Sequence, residues 1–454
     1  MLDYLIVNGK YPDYSAGSLI KGNVGVKDGK ICYLGPDSPE AETVIDATDR
    51  VVSPGFIDLH MHEDNFNEGK KYVIGNMMLK QGVTTCVGGN CGTLFQTVSE
   101  FREGIEELGG SPVNYIMLSG YNHYRHDVLG VGGFDQTTWE QRKFIREQQL
   151  KDLEAGAFGI SFGIEYDPFI TEQEVLEDIA LSNDPDLLVA AHYRNDCIGN
   201  IDSIYEMVDI QSRIDKRFQI SHLSSCSALG MMDESLELIN DYMAKDPRLN
   251  YDTYPYNAFA TFLGSTVFDD GCLEAWHKDY KDLLLTGEPY PYQFATEETF
   301  RDARVKNPDM MVVAFVMNED EIAKAIANPN GMVASDGILN NGNGHPRAAG
   351  TFPRVLGKYV REEKKLSLVD ALRKMTLEPA KRLLMDHRKG VIKVGADADI
   401  TIFDPETIID GPTFTDISLP NKGIDCVLVN GRMALKDNLF VNGRLGRFIA
   451  YQDK

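Results

Sequence analysis

Val52-Ser-Pro-Gly-Phe-Ile-Asp-Leu-His-Met-His-Glu-Asp-Asn-Phe66 is the stretch that organises the reading of this chain. A short apolar run ends in His60 and His62, one residue apart. Side chains alternate faces along an extended strand, so the two imidazoles project the same way and can grip one cation. An isolated HxH pair is most often an ordinary surface or half-buried feature, and the rest of the chain has to give it meaning.

Outward from this stretch, apolar strand-like segments alternate with helical ones. They run Gly55 to His62, Thr84 to Gly88, Asn114 to Ser119, Ala157 to Phe162, Leu187 to His192, Phe218 to His222, Asn250 to Tyr254 and Met332 to Ser335. Strands separated by helices predict an α/β fold, a parallel (β/α)8 TIM-type barrel, whose reactive groups lie at the carboxyl ends of the strands. The polar residues fall there. His60 and His62 end the first segment, Cys91 follows the second, and Glu165 and Tyr166 follow the fourth. His192 ends the fifth, His222 the sixth and Tyr254 the seventh, and Asp336 follows the eighth. Four of only nine histidines occupy these positions.

The flanks read differently. Residues 1–51 show short strands and tight turns, with Asn8-Gly9 and a hairpin signal at Asp28-Gly29, and Asn-Gly recurs at Asn430 and Asn442. A small β-sandwich domain is expected from residues 1–51 and 389–454, around a barrel spanning 52–388. The stretch from Asn257 to Asn330, rich in aromatic and acidic residues, exceeds an ordinary connection and is expected to be an inserted lid, at about 257–330.

Composition excludes several classes. The chain has 454 residues, 43% hydrophobic, with 69 acidic against 45 basic side chains and a formal net charge of −24. Such a surface repels a phosphate backbone, so neither nucleic acid nor a membrane is an expected partner, and a small-molecule substrate is. No apolar run reaches membrane-spanning length, and the start MLDYLIVNGK lacks the marks of a secretion signal. Seven cysteines without framework spacing read as reduced thiols, which gives a cytoplasmic expectation. Homo-oligomerisation stays open.

Imidazole and thiolate are ligands for zinc-like ions, and a cysteine donor favours zinc over magnesium or calcium. Cys91 lies in a glycine-flanked turn, Gly88-Gly-Asn-Cys-Gly92, from which a thiolate can reach a pocket. A small buried hydrophobe is the commoner role for a cysteine, as a hydrogen-bonded core position is for His192 and His222. Their joint placement on successive strand ends favours ligation. Asp336, in Ala334-Ser-Asp-Gly337, suits a carboxylate that takes a proton from a metal-bound water and returns it to a leaving amine.

Together these motifs resemble the amidohydrolase superfamily, and more narrowly the D-aminoacylase (N-acyl-D-amino-acid deacylase) family. The resemblance rests on Pro54 to His62, Gly89-Asn-Cys-Gly92, Gly156 to Ser161, His192-Tyr-Arg194, Gln219 to His222, Tyr254-Pro-Tyr256, Ser335-Asp-Gly337, His345-Pro-Arg347, Gly350 to Arg354 and Gly395 to Pro405. It implies zinc-dependent hydrolysis of a linear amide, the deacylation of N-acyl-D-amino acids. It also implies that Cys91, His192 and His222 hold a tight zinc, that His60, His62 and Asp336 surround a second, weaker metal site, and that Asp336 is the general base and acid. Many superfamily members carry a bridging lysine after the fourth strand. Here Gly163-Ile-Glu165 stands instead, so that Glu165 can contribute and the bridging duty falls to Cys91.

A substrate α-carboxylate needs a cation, and Arg194 and Arg347 are the candidates, with Tyr166 and Tyr254 as hydroxyl donors. Structural ion pairs are the plain alternative for both arginines. Relatives often place a lysine two residues beyond the sixth-strand histidine, where this chain has Ser224. Two competing readings are a cyclic-amide hydrolase of the dihydroorotase or hydantoinase kind, which usually shows the absent lysine, and a metal-free scaffold, which would be free to lose the ligand positions that are all filled here.

Overall fold

The computed structural model describes residues 1–454. Its centre is a run of parallel strands: β1 (Phe56–Asp58), β2 (Val83–Gly88), β3 (Asn114–Met117, continued by Ser119–Gly120), β4 (Gly159–Gly163), β5 (Leu188–His192), β6 (Arg217–Ile220), β7 (Leu249–Thr253) and β8 (Met332–Val333). Apart from half-buried Arg217 and Asn250 their residues are all buried, as expected of strands covered on both faces. The first and last are shorter than the apolar runs that announce them, because the chain bends after Asp58 and after Val333 to present polar side chains.

Neighbouring strands pair in parallel from β1 to β3 and from β3 to β8. The residues after β8 also meet those after β1. Asp336 donates its N–H to the His60 carbonyl at 2.8 Å, and His62 donates to the Gly337 carbonyl at 2.8 Å. Ile57, Val87, Ile116, Leu188, Ala190 and Met332, from strands across this whole run, share one buried cluster. The sheet is therefore strongly curved.

Helices connect the strands, with starts written locally. The first, α1, is Ile74–Lys80; in α2 (Val98–Glu107) Thr97 and Glu100 form a reciprocal capping box, and the buried positions Val98, Phe101 and Ile105 repeat at helical spacing. The same device, Thr138 with Gln141 and Thr171 with Glu174, opens α3 (Trp139–Glu154) and α4 (Glu172–Ile179). No helix is long and apolar enough to cross a membrane.

Between β7 and β8 the chain builds an antiparallel sheet from Phe259–Phe262, Leu283–Leu285, Gln293–Phe294 and Met311–Ala314. The remainder of the stretch to Asn330 has a different character. Asn318 caps a helix, α5 (Glu319–Ala327), whose buried Ile322, Ala325 and Ile326 face inward, and it packs against the helix Met232–Lys245 that connects β6 to β7.

The two chain ends meet in one seven-stranded sheet. Lys10–Asp13, Ser18–Lys21 and Val51–Pro54 lie beside Ile400–Phe403, Ile424–Val429, Arg432–Lys436 and Leu439–Phe440. A four-stranded sheet from residues 2–46 accompanies it, and Ile6, Val24, Val26 and Ile31 of that sheet share an apolar cluster with Val52, Ile400, Ile402 and Leu428 of the larger one. Truncating such a fully buried isoleucine to alanine costs about 2–5 kcal/mol. The Asp28-Gly29 hairpin has φ values of 49° and 78°, the left-handed pair that a two-residue turn of matching twist requires.

Candidate metal centre

The ends of the parallel strands bring four buried donors together. One ligand atom each from His60, Cys91, His222 and Asp336 lies within 4.8 Å of all the others. Cys91 Sγ is 3.3 Å from His60 Nε2 and 3.3 Å from His222 Nε2. Asp336 Oδ1 stands 3.4 Å from His60 Nε2 and 3.6 Å from His62 Nε2. The two histidines of the HxH thus face one carboxylate oxygen, as alternate positions of an extended chain should.

Local backbone explains the convergence. Cys91, His222 and Asp336 all adopt left-handed φ, at 53°, 32° and 50°, a conformation that costs a non-glycine residue about 1–3 kcal/mol and persists only where surroundings impose it. The Cys91 loop is pinned from several sides. Buried Glu63 accepts the N–H groups of Gly89 at 3.0 Å and Phe95 at 2.9 Å, and Ser161 Oγ accepts from Gly92 at 2.9 Å. Gly92 has φ 71°, and a Cβ there would sit 1.9 Å from Asn122 Oδ1. At the end of β4, a Cβ on Gly163 would lie 2.2 Å from the Cys91 carbonyl.

A layer of carboxylates orients these donors. Asp252 Oδ1 bonds His60 Nδ1 at 3.1 Å and accepts the His222 N–H at 2.8 Å, so Nε2 of His60 is left for the centre. Asp58 accepts the N–H groups of His60 at 3.2 Å and Ser335 at 2.9 Å, and burial pushes its carboxyl up to about 7. Ser225 Oγ lies 2.8 Å from His222 Nδ1. Such partners fix imidazole tautomers and raise ligand basicity.

The donor set fits a tetrahedral zinc. Metal–ligand bonds of about 2.0–2.3 Å imply donor–donor edges of roughly 3.3–3.8 Å, the range occupied by the spacings above. The charge pattern agrees. Burial opposes ionisation of Cys91, but His60 and His222 outweigh it and hold the thiol well below its ordinary value. Burial also opposes charge on Asp336, but Arg347, then His222 and His62, hold its carboxyl well below the usual range. His222 is raised to about 9, against burial and the neighbouring His192, by Asp336 and Cys91. Anionic donors that keep imidazoles protonated are donors a divalent cation competes for. Buried Nδ1 atoms of His62 and His192 have no hydrogen-bond partner.

The expected residues do not all sit as the resemblance grouped them. His60 and Asp336 share a cluster with Cys91 and His222, whereas His192 directs Nε2 to Glu165 Oε2 at 2.6 Å. Cys226, which the sequence did not single out, places Sγ 4.0 Å from His192 Nε2 and 3.7 Å from His222 Nδ1. Asp252 and Asp58 were missed as well. The sequence marks Asp58 as an acidic residue ending an apolar strand, whereas Asp252 shares its strand with polar Asn250 and Thr253.

Arg347 and Arg194 part company. Arg347 lines the adjoining cavity of about 770 Å³ together with His62, Tyr166 and Asp336, and its Nη1 lies 2.8 Å from Asp336 Oδ2. Arg194 is a correction: its guanidinium is consumed by Glu206 at 2.6 Å and by the carbonyls of Pro168 at 2.5 Å and Ile170 at 2.9 Å, and it does not line the cavity. Tyr254 also differs from expectation, since its ring stacks 4.7 Å beneath the Arg347 guanidinium and its hydroxyl meets Met317 Sδ at 3.9 Å. His345 Nδ1 accepts the Arg347 N–H at 2.9 Å.

Residues 43–161 and 294–434, more than half of the chain, match the model of the Amidohydrolase family. The chain belongs to this family. Among curated relatives, the N-acyl-D-aspartate deacylase of Alcaligenes xylosoxydans xylosoxydans is 29% identical over 95% of this amidohydrolase and 91% of its own length. The D-aminoacylase of the same organism is 28% identical over 99% and 97%. Among solved structures, a D-aminoacylase studied for its binuclear metal centre superposes with a TM-score of 0.89 at 28% identity, covering 99% of this chain and 100% of that one. The N-acyl-D-glutamate deacylase of Bordetella bronchiseptica, solved with zinc and a phosphonate mimic of the tetrahedral intermediate, superposes at 0.86 and 27% identity, covering 99% of each. A D-hydantoinase at 18% identity and a TM-score of 0.65 shares the fold.

Proposed function

We propose that this amidohydrolase uses zinc to hydrolyse linear amides, deacylating N-acyl-D-amino acids to a carboxylate and a free D-amino acid. The observation that carries the reading is the position of Asp336. One of its oxygens faces the HxH pair and the other is paired with Arg347, on the boundary between the buried donors and the cavity. Near-full-length likeness to the D-aminoacylase and the two D-amino-acid deacylases agrees with it.

In this reading Cys91 and His222 would hold the tighter zinc with His192, whose Nε2 would turn to it from Glu165, and His60, His62 and Asp336 would surround a second site. Cys91, equidistant from a histidine of each set, is suited to be shared between them. A bound zinc supplies Lewis acidity toward the scissile carbonyl and lowers the pKa of a water. Asp336 takes the proton of the attacking water and passes it to the leaving nitrogen. Arg347 receives the substrate α-carboxylate, as the one guanidinium that lines the cavity, and Tyr166 borders the same space. A lysine after β4, expected of cyclic-amide hydrolases, is replaced by Glu165, which is engaged with His192.

We read residues 52–388 as a (β/α)8 barrel with an insert at about 257–330, and residues 1–51 with 389–454 as one β-sandwich. The pairings of residues 60 and 62 with 336 and 337, and the apolar cluster between the two terminal sheets, support this division. Free cysteines throughout suit a reducing cytoplasm.

The test is metal analysis of the purified protein combined with assays on N-acetyl and N-formyl D- and L-amino acids, D-residue dipeptides and dihydroorotate. Zinc-dependent release of D-amino acids is the expected result. Turnover of dihydroorotate in preference to every linear amide would overturn it.

A further inference from the structure

The cavity above Asp336 carries one permanent cation. Arg347 is the sole lysine or arginine among its 27 lining residues, and it is already paired with Asp336 at 2.8 Å. Besides these two and Tyr166, the titratable side chains facing the space are His62, Glu68, His123, His126, Asp127, Asp167 and Asp309.

Their charges are not balanced alike. Asp167 is buried and neutralised from behind by Arg125, whose Nη1 lies at 3.2 Å, and it accepts from Asn122 at 2.8 Å. Asp127 stands 3.2 Å from His123 Nδ1 and 3.3 Å from His126 Nδ1. Glu68 and Asp309 differ from both. They are exposed on the cavity lining, and Glu68 is held only by the Asn65 amide at 3.0 Å. Neither has an ion-pair partner. With Arg347 paired to Asp336, the charge left without an ionic partner on the cavity lining is negative.

Every N-acyl amino acid brings one carboxylate, and Arg347 can match one. An aspartate or glutamate side chain brings a second. That group would leave bulk water for a space without a second lysine or arginine and would face Glu68 and Asp309, an arrangement in which like charges cost affinity rather than add it. Apolar surface for a side-chain stem is available from Phe95, Phe262 and Leu339.

We infer that this enzyme acts on N-acyl amino acids with neutral or basic side chains and discriminates against acidic ones, with Glu68 and Asp309 as the discriminating residues. The inference rests on the deacylase reading and sets the chain apart from relatives named for N-acyl-D-aspartate and N-acyl-D-glutamate.

The experiment compares kcat/KM of the zinc-loaded enzyme on isosteric pairs, N-acetyl-D-glutamine against N-acetyl-D-glutamate and N-acetyl-D-asparagine against N-acetyl-D-aspartate, with N-acetyl-D-lysine alongside. The acidic member of each pair should be poorer by about tenfold or more, chiefly through KM, and the gap should narrow as salt is raised. The E68Q/D309N double variant should narrow it several-fold at low salt. Acidic substrates equal to or better than their amides would overturn the inference and leave deacylation standing. A gap that neither salt nor the double variant moves would remove Glu68 and Asp309 from the explanation. Cleavage of no member of the panel would bring down the deacylase reading, and this inference with it.

Discussion

Arg347 and Asp336 form an ion pair at 2.8 Å with side chains only 2% and 8% exposed, and the same carboxylate faces His60 and His62 with its other oxygen. Removing one partner from such a pair strands a buried charge, which costs about 3–5 kcal/mol. Arg347→Met should therefore lower the stability of the metal-free protein by that order in denaturant melts. The double variant D336N/R347M should recover part of the loss. A double variant as unstable as the sum of the two singles would mean that the residues are not coupled.

Asp336→Asn keeps the shape of the side chain and removes its basicity. Turnover should fall by about 10²–10⁴, while metal analysis should still find the tighter zinc held by the cysteine and histidines. Near-normal kcat would exclude Asp336 as the proton carrier.

Cys91→Ala takes the soft anionic donor from between His60 and His222. Zinc stoichiometry after gel filtration should drop sharply. Unchanged zinc content would place the thiol outside the centre.

Asp252→Asn leaves every donor in place but weakens the bond that orients His60. Zinc affinity measured by chelator competition should fall about 10–100-fold. Because the residue acts through His60, the change should appear in the metal affinity itself, and wild-type affinity would make Asp252 merely a packing residue.

Lys374 offers a pH test away from the site. Burial lowers its pKa from 10.5 to about 7, while its ammonium donates to the carbonyls of Asn328 and Asn330, the latter at 3.1 Å. The unfolded chain binds the proton more tightly than the folded one, so this group's contribution to stability rises with pH between about 7 and 10.5, by at most about 1.4 kcal/mol per unit. Lys374→Met should flatten that rise in melts followed across the window. A slope identical in the two proteins would show that Lys374 does not titrate there.

The strands carrying the donors were readable because burial on both faces writes long apolar runs, and the donors interrupt them at one end. His60, His62, Cys91, His222 and Asp336 were legible for that reason. Asp252 and Asp58 were not, because their role depends on which strands become neighbours: Asp252 touches His60 across a separation of 192 residues. Arg194 misled for the opposite reason. It stands two residues after a donor histidine, but its direction is set by Glu206 on a helix whose placement no local pattern records. The helix Glu319–Ala327 was not read separately from the inserted lid at about 257–330, since its capping Asn318 follows an antiparallel sheet with no sequence signature of its own.

The sheet shared by the two chain ends sets a clock on assembly. Val51 pairs with Phe403 and Pro54 with Ile400, and Gly55, the residue that leads into the HxH strand, donates its N–H to the Asp399 carbonyl at 2.8 Å. During synthesis the amino-terminal strands leave the ribosome long before their partners exist, and Val51–Pro54 waits with the edge that Ile400–Phe403 later covers still open. The segment leading into the first barrel strand thus gains its last backbone partner only when residues 399–403 arrive. A chain interrupted before residue 399 lacks both the strand that covers Val51–Pro54 and the carbonyl that receives the Gly55 N–H.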